Sequence, residues 1–284
     1  MKFLSVDVGG TFIKHAAISD SAEIIRQGKI PTPKTNRADF FAAIEKLYRA
    51  DNFAGIGISL PGIIDAERGV CVASVALPYN NGCNIVAELE KICGTRVAIE
   101  NDANCAALAE AKIGSLADVS DGFVMVFGTS IGGAFIKNHK IHRGKNNLAG
   151  EIAFTSSGEK IFHDVGSVPA LLKMYAQIKN LSSEITGENF FRAVDEKEND
   201  ALFCLDKFAR RIAEKIFNIQ MVIDAEKFAI GGGISAQKSF IAAIRLNLAK
   251  IYDERPINFP SVEVVPCRFR NDANLIGAFL VARA

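Results

Sequence analysis

The stretch Gly9-Gly-Thr-Phe-Ile-Lys14 recurs later in the chain as Gly132-Gly-Ala-Phe-Ile-Lys137, with five of the six positions identical. Each copy follows an apolar run that begins with a phenylalanine, at Phe3 and at Phe123. Two apolar runs on either side of a glycine turn are typical of a β-hairpin. We therefore predict an internal duplication, in which each half opens with a strand, a glycine turn and a returning strand.

Outside the two hairpins, short apolar runs alternate with longer segments of helical periodicity. Predicted strands cover residues 56–60, 97–99 and 227–230, and predicted helices cover 38–50, 85–93, 201–223, 239–251 and 275–282. Residues 155–200 are the least regular stretch and are predicted to be loosely helical. This alternation predicts an α/β fold with a mainly parallel central sheet in each half.

Composition narrows the class of protein. The 284 residues are 49% hydrophobic and 23% charged, with a net charge of +1 and no long run of one sign, so neither nucleic acid nor a membrane surface is an expected partner. Six scattered cysteines without a CxxC pair favour buried thiols over a zinc site or disulfides. The chain begins without a signal-peptide pattern and contains no apolar run of membrane-spanning length, which predicts a cytoplasmic protein.

Residues Glu100-Asn101-Asp102 are the first candidates for chemistry. They end a short apolar strand directly before a helix, where α/β proteins place their reacting groups. An amide next to a carboxylate can hold one hydroxyl there and deprotonate another. The alternative is that Asp102 only caps the helix by accepting backbone N–H groups.

Three glycine turns each follow a buried strand, at residues 7–11, 128–133 and 231–233. Glycine lets backbone N–H groups approach an anion closely, so together the turns predict a nucleotide phosphate site, although a glycine pair alone is more often only a turn. The chain has neither a Walker loop nor a GxGxxG turn that opens a helix. Asp7 would then bind Mg²⁺ through water, or it only initiates the turn.

Two further loops contain candidates for sugar contacts. Asn80 and Asn81 carry amides that both donate and accept hydrogen bonds, although Asn-Asn-Gly is equally consistent with a plain turn. Glu151 follows a glycine-containing loop and is a candidate acceptor for a ligand hydroxyl, with a solvated surface carboxylate as the alternative.

Taken together, these pieces resemble the ROK family of sugar kinases within the actin-like ATPase superfamily. The matching motifs, in family order, are Asp7-Val-Gly-Gly-Thr11, Ser59-Leu-Pro-Gly62, Glu100-Asn-Asp-Ala-Asn104, Gly128-Thr-Ser-Ile-Gly-Gly133, Leu148-Ala-Gly-Glu151 and Gly231-Gly-Gly233. The resemblance implies two related actin-like (ribonuclease H-like) domains with a cleft between them. It also implies ATP and Mg²⁺ as cofactors and transfer of the γ-phosphoryl group to a hydroxyl of a glucose-like sugar or β-glucoside.

Roles carry over by position. The resemblance implies that Asp102 is the general base, and that Asn101 and Glu151 bind other sugar hydroxyls. The remaining expected substrate contacts are Gly62, Asn81 and Asp164. The expected nucleotide contacts are Asp7, Gly9, Gly10, Thr11, Lys14, Gly128, Thr129, Gly132 and Gly133 at the phosphates, and Gly231, Gly232 and Gly233 at the adenosine.

The chain departs from most of the family after Glu151. Residues Ile152-Ala-Phe154 replace the histidine that touches sugar and zinc, and residues 155–166 contain no cysteine. We therefore predict no zinc site, as in a smaller zinc-free branch that includes β-glucoside kinases. In that branch the segment 162–167 would replace the zinc loop, with His163 or Asp164 as possible sugar contacts and a plain surface loop as the alternative.

Several alternatives to a β-glucoside kinase stay open. A glucokinase or fructokinase of the same family would carry the same motifs, and so would a non-catalytic sugar sensor. A DNA-binding repressor is not expected, since only six residues precede Asp7. The family implies a homodimer. The predicted domains are a smaller one from residues 1–106 plus 271–284, with the sugar and catalytic residues, and a larger one from 107–270, with the adenosine site and the dimer surface.

Overall fold

The computed structural model describes residues 1–181 and 185–284. Their contacts divide them into two units, the first made of residues 1–109, 143–149 and 272–284 and the second of residues 110–142 and 150–271. The predicted division placed residues 143–149 in the larger domain. They group with the first unit because Arg143 forms an ion pair with Glu100.

The first part of the chain alternates strands and helices, as its apolar pattern predicts. The elements are β1 (Lys2–Val8), β2 (Phe12–Ser19), β3 (Ile24–Pro31), α1 (Arg37–Arg49), β4 (Ile56–Leu60), β5 (Ile63–Asp65), β6 (Val70–Ala73), β7 (Cys83–Asn84), α2 (Ile85–Cys93), β8 (Val97–Asn101) and α3 (Asp102–Ile113). The predicted bounds of β4 and α2 match the observed ones. Strand β8 is longer than predicted, since Glu100 and Asn101 pair with β4 instead of ending the strand.

The rest of the chain follows the same alternation with longer helices. The elements are β9 (Gly122–Phe127), β10 (Ile131–Lys137), β11 (Lys140–His142), β12 (Ser156–Ser157), β13 (Lys160–Ile161), α4 (Phe162–Gly166), α5 (Val168–Ile178), α6 (Gly187–Asp195), α7 (Asn199–Ile223), β14 (Lys227–Gly231), α8 (Lys238–Asp253), β15 (Glu263–Pro266) and α9 (Ala273–Arg283). The region predicted as loosely helical thus contains α4, α5 and α6, and its residues 182–184 lie outside the described residues.

Each unit contains a five-stranded sheet of the same topology. The order is β3-β2-β1-β4-β8 in the first unit and β11-β10-β9-β14-β15 in the second. In each sheet the first three strands are antiparallel, and the last two run parallel to the central one. The shared order supports the predicted duplication. The sheets are mixed, so the expectation of mainly parallel sheets is wrong, because each opening hairpin is extended by a third antiparallel strand.

The hexapeptide match that suggested the duplication does not align equivalent residues. In the first hairpin, Gly9 and Gly10 lie in the turn that precedes β2. In the second, the turn consists of residues 128–130, and Gly132 and Gly133 lie inside β10, paired with Val126 and Met125. The match is therefore shifted along the second hairpin, and the predicted turn at 128–133 is shorter than expected.

A second repeat does occupy equivalent positions. Asn101-Asp-Ala-Asn104 begins at the last residue of β8, the last strand of its sheet, and Asn271-Asp-Ala-Asn274 follows β15, the last strand of the other. Each copy leads into a helix, α3 or α9. The tetrapeptide marks the same place in the two halves of the duplication.

Glycines let α9 pack closely in the first unit. A Cβ atom on Gly57 would lie 1.9 Å from the carbonyl oxygen of Ala278, and one on Gly277 would lie 1.9 Å from that of Cys105. Both positions therefore require glycine for backbone contact. In the second unit, α7 and α8 pack through aromatic side chains, with the Phe208 and Phe240 ring centroids 5.8 Å apart.

The cysteines agree with the prediction of buried thiols. All six cysteines are free and buried. Within residues 1–181 and 185–284, no helix is long and apolar enough to span a bilayer.

Candidate functional site

Asp7 at the end of β1 is held in one orientation. Ser59 Oγ and Asn274 Nδ2 both donate to its Oδ1 atom at 3.0 Å. Its Oδ2 atom lies 3.9 Å from Lys14 Nζ, and the side chain is only 13% exposed. The two hydrogen bonds to Oδ1 orient the carboxylate, and Oδ2 lies on the side of Lys14. A carboxylate of this kind fits a hydrated Mg²⁺, which keeps several of its waters.

The turn after Asp7 accepts hydrogen bonds from side chains of the segment that follows β3. Thr32 Oγ1 donates to the carbonyl of Gly9 at 2.7 Å, and Lys34 Nζ donates to that of Gly10. Thr11 at the tip of the turn is exposed. The turn is therefore braced by hydrogen bonds and accessible at its tip.

Three of the predicted sugar residues form one connected network in the first unit. Asn101 Nδ2 donates to the carbonyl of Gly62 at 2.9 Å. Gly62 has a φ of +115°, and a Cβ there would lie 2.3 Å from the carbonyl oxygen of Ala73. The backbone N–H of Ser74, the next residue, donates to Asn81 Oδ1 at 2.7 Å. The structure thus brings Gly62, Asn81 and Asn101 together.

Asn101 accepts a hydrogen bond typical of a helix cap. Its Oδ1 atom accepts from the backbone N–H of Asn104 at 3.1 Å, the spacing of an N-cap bond. Asp102 stands in the first turn of α3, where its Oδ1 accepts from the N–H of Ala103 at 2.8 Å. Both side chains therefore accept backbone N–H groups at the start of α3, and the choice between a base and a cap at Asp102 stays open.

The Glu100 side chain stabilises the end of β8 through hydrogen bonds to both of its carboxylate oxygens. Its carboxylate is fully buried and accepts from Arg143 Nε at 2.9 Å and Nη2 at 2.5 Å. The other oxygen accepts from the N–H of Asn101 at 2.9 Å and from Asn104 Nδ2 at 3.0 Å. Both guanidinium nitrogens donate to the same carboxylate oxygen, Oε2, and hydrogen bonds between charged groups are stronger than neutral ones. This ion pair fixes the backbone from which Asn101 and Asp102 project.

The second unit contains a cavity of about 650 Å³ beside its own glycine turn. Gly128 and Thr129 line it together with Gly233, and the apolar side chains of α5 and α6, including Leu172 and Phe191, form its body. A largely apolar cavity of this volume with a few polar groups is typical of a small-molecule site. Its size and lining fit a nucleoside, with the Gly128 turn at one edge.

Two of the glycines predicted to contact nucleotide, Gly133 and Gly232, pack against protein backbone. A Cβ on Gly133 would lie 2.4 Å from the carbonyl oxygen of Gly150, and one on Gly232 would lie 2.0 Å from that of Phe127. Gly231 is similarly enclosed by Cys267 and Val126. Among the three glycines of the last turn, only Gly233 lines the cavity.

Glu151 is a half-buried carboxylate at the start of a short 3₁₀ helix, Ile152–Phe154. Burial raises its pKa above the ordinary glutamate value. Phe154, which stands where most of the family has a histidine, is 70% exposed. Glu151 is thus partly desolvated, and an exposed aromatic residue follows it three positions later in the sequence.

His163 contacts the glycine turn at residues 128–130. Its Nδ1 atom lies 3.1 Å from Ser130 Oγ, and Asp164 beside it is exposed. Among the residues that the structure describes, no group of three or more histidine, cysteine, aspartate or glutamate side chains is arranged to hold a metal. The absence of zinc and a sugar contact by Asp164 stay predictions.

Sequence reasoning missed several side chains of this site. Ser59, Asn274 and Arg143 orient carboxylates, and the walls of the cavity come from α5 and α6. The repeated Asn-Asp-Ala-Asn pattern is the signal that could have identified Asn274. Arg143 and the cavity walls carry no local motif, because distant contacts define their roles.

Comparison with known proteins agrees with this arrangement. A β-glucoside kinase of Listeria innocua is 29% identical over 98% of this chain and 96% of its own length. An N-acetyl-D-glucosamine kinase of Vibrio parahaemolyticus is 31% identical, over 91% of this chain and 89% of its own. The solved structure of a ROK family protein from Streptococcus pneumoniae in complex with sucrose superimposes with a TM-score of 0.89 at 27% identity, covering 99% of this chain and 97% of that one.

The fold predicted from the motifs is confirmed: the chain is α/β and built from two actin-like domains. The ROK family model matches residues 3–284, nearly the whole length. The chain belongs to the ROK family.

Proposed function

We propose that this carbohydrate kinase transfers the γ-phosphoryl group of ATP to a hydroxyl of a glucose-like sugar or β-glucoside. The observation that carries the proposal is the fixed strand end at Glu100–Asp102. The buried Glu100–Arg143 pair and the Asn101–Gly62 hydrogen bond immobilise the backbone directly before Asp102. An active-site base needs this kind of preorganised support. The β-glucoside kinase relative supports the substrate class.

In the proposed reaction, the Asp102 carboxylate accepts the proton of the attacking sugar hydroxyl. The hydroxyl oxygen forms a bond to the γ-phosphorus, while the bond from that phosphorus to the β–γ bridging oxygen breaks and ADP leaves with the electron pair. A positioned base contributes about 10²- to 10⁴-fold to such a step. Asn101 and Glu151 bind further hydroxyls and hold the sugar in place.

The nucleotide side of the proposal uses the cavity of the second unit. Its apolar body takes the adenosine, and Gly128 and Thr129 bind phosphate at its edge. When bound, Mg²⁺ would neutralise part of the negative charge on the phosphates. Asp7 would hold it through water, with Lys14 beside it as a second positive charge. A homodimer and a cytoplasmic location belong to the same proposal, on family grounds.

The test is ADP release with Mg-ATP on a panel of glucose, fructose, mannose, N-acetylmannosamine, N-acetylglucosamine, cellobiose and an aryl β-glucoside. We expect turnover with a glucose-like member and a loss of about 10²-fold or more in Asp102→Asn. Asp253→Asn, at an exposed aspartate in the last turn of α8, is the control and should be unchanged. Turnover that survives in Asp102→Asn would refute the assigned base. ATP binding without turnover on any sugar would favour a non-catalytic sensor.

A further inference from the structure

Lys215 on α7 is a buried lysine without a carboxylate partner among residues 1–181 and 185–284. The residue is 8% exposed, and burial lowers the pKa of its amine. Its Nζ atom donates to Thr155 Oγ1 at 2.8 Å and to the carbonyl of Ser156 at 3.0 Å. The same nitrogen lies 5.1 Å from the centre of the Phe162 ring. Burying an ammonium group is costly, so a role for it needs an explanation.

The contacts of Lys215 continue toward Glu151. Thr155 Oγ1, which accepts from Lys215, donates to the carbonyl of Ile152 at 2.6 Å. The backbone N–H of Thr155 donates to the same carbonyl at 3.1 Å, and that of Ile152 donates to Gly150 at 2.6 Å. Ile152 directly follows Glu151. A chain of hydrogen bonds therefore runs from α7 to the short turn that carries the glutamate.

We propose that Lys215 is a positioning residue for sugar binding, which acts through Thr155 to hold the Glu151 turn. The proposal rests on the proposed function, in which Glu151 binds a sugar hydroxyl. A lysine suits the task because its ammonium group has three donors and no acceptor. It can hold two acceptors on neighbouring residues while it faces an aromatic ring. A hydrogen bond from a charged donor is also stronger than a neutral one.

Two independent variants interrupt the hydrogen bonds that run from Lys215 through Thr155 to the carbonyl of Ile152, which we call the relay. Lys215→Met keeps the apolar stem and removes the ammonium, and Thr155→Val keeps the shape and removes the hydroxyl. Two controls match them. Thr155→Ser retains the hydroxyl, and Lys207→Met removes an exposed lysine from the same helix.

We expect Lys215→Met and Thr155→Val to raise KM for the sugar about tenfold, the scale of one charge-assisted hydrogen bond. The value of kcat and the KM for ATP should change less than about twofold, since no step of the reaction uses the relay. Thr155→Ser and Lys207→Met should behave like the wild type. Amide exchange of residues 150–156 should become faster in both relay variants and stay unchanged in the controls.

The two measurements separate failure of the relay from failure of the proposed function. An unchanged sugar KM in Thr155→Val, or an equal defect in Thr155→Ser, would overturn the positioning role. Faster exchange with an unchanged KM would also overturn it, because the relay would then only stabilise the fold. A wild-type protein without kinase activity would refute the proposed function, and with it the sugar-positioning role, even if exchange still showed the relay.

Discussion

Removing Arg143 should leave a buried negative charge without its cation. The Glu100 side chain is fully buried, whereas that of Arg143 is 28% exposed. In Arg143→Met the carboxylate keeps two hydrogen bonds, from the N–H of Asn101 and from Asn104, and loses both bonds to the guanidinium. Breaking a buried pair from one side costs about 3–5 kcal/mol. Because the arginine is partly exposed, we expect a loss at the lower end, about 3 kcal/mol in the free energy of unfolding.

A double-mutant cycle by urea denaturation tests the reasoning. Glu100→Gln removes the charge but keeps an oxygen that can accept from Asn101 and Asn104. The double variant, with both substitutions, should therefore be more stable than Arg143→Met alone, with a coupling of about 2 kcal/mol. Arg68→Met is the control. Its side chain is 80% exposed and lies 3.9 Å from Asp65, and its removal should cost less than about 0.5 kcal/mol.

Two results would refute this account of the strand end. One is a loss below about 1 kcal/mol in Arg143→Met, the range of a surface pair. The other is a double variant that is less stable than Arg143→Met, which would mean that the carboxylate contributes more without its partner than an amide does. Sugar turnover should fall in Arg143→Met even where the protein remains folded, since Asp102 projects from the backbone that the pair fixes.

Three further predictions use other features of the structure. Gly133→Ala should lower the free energy of unfolding by about 1–3 kcal/mol in urea denaturation, because its Cβ would meet the Gly150 carbonyl. Gly128→Ala is the matched variant, since no atom lies closer than 3.8 Å to its Cβ. It should keep the stability of the wild type and weaken ATP binding about tenfold by calorimetry. Burial raises the pKa of Glu151, so the ionised form is disfavoured in the folded state and Glu151→Gln should be more stable than the wild type at about pH 8. That gain should vanish below about pH 3, where the carboxyl is protonated in both states. Wild-type sugar affinity should fall as the pH drops through the raised pKa, and a stability difference independent of pH would contradict this reasoning. Neither polar atom of the buried Asn80 side chain has a hydrogen-bond partner among the described residues, so Asn80→Leu should raise the free energy of unfolding by about 1 kcal/mol; a loss would indicate that water or a ligand binds the amide.

Local patterns in the sequence predict the elements that bury one clear face. The bounds of β4 and α2 follow directly from their apolar runs. Helix α7 begins two residues earlier than predicted and ends as predicted, whereas α8 begins one residue earlier and ends two residues later. Edge strands were missed because they bury little. Strand β3, for example, has no fully buried residue, so its sequence lacks the apolar signal of a strand.

Residues whose roles depend on distant partners could not be assigned from sequence. Asn274 reaches Asp7 across 267 positions of the chain, and Arg143 reaches Glu100 across 43. No local rule connects such pairs. The exception is Asn274, since the tetrapeptide it shares with Asn101–Asn104 marks an equivalent position in the duplicated fold. A repeat is therefore more informative when it is placed on the topology than when it is matched by letters alone.

The glycines show why composition of a turn is weak evidence for phosphate binding. Glycine serves two purposes here, and the space around its missing side chain separates them. Gly133 and Gly232 face carbonyl oxygens at 2.4 and 2.0 Å, so backbone packing alone requires them. Gly10 and Gly128 have no neighbour closer than 3.9 and 3.8 Å, and Gly233 has none within 4 Å. Packing does not explain glycine at these three positions. The proposed function would explain glycine there by the close approach of a ligand, and two of the three, Gly128 and Gly233, line the cavity proposed for the nucleotide.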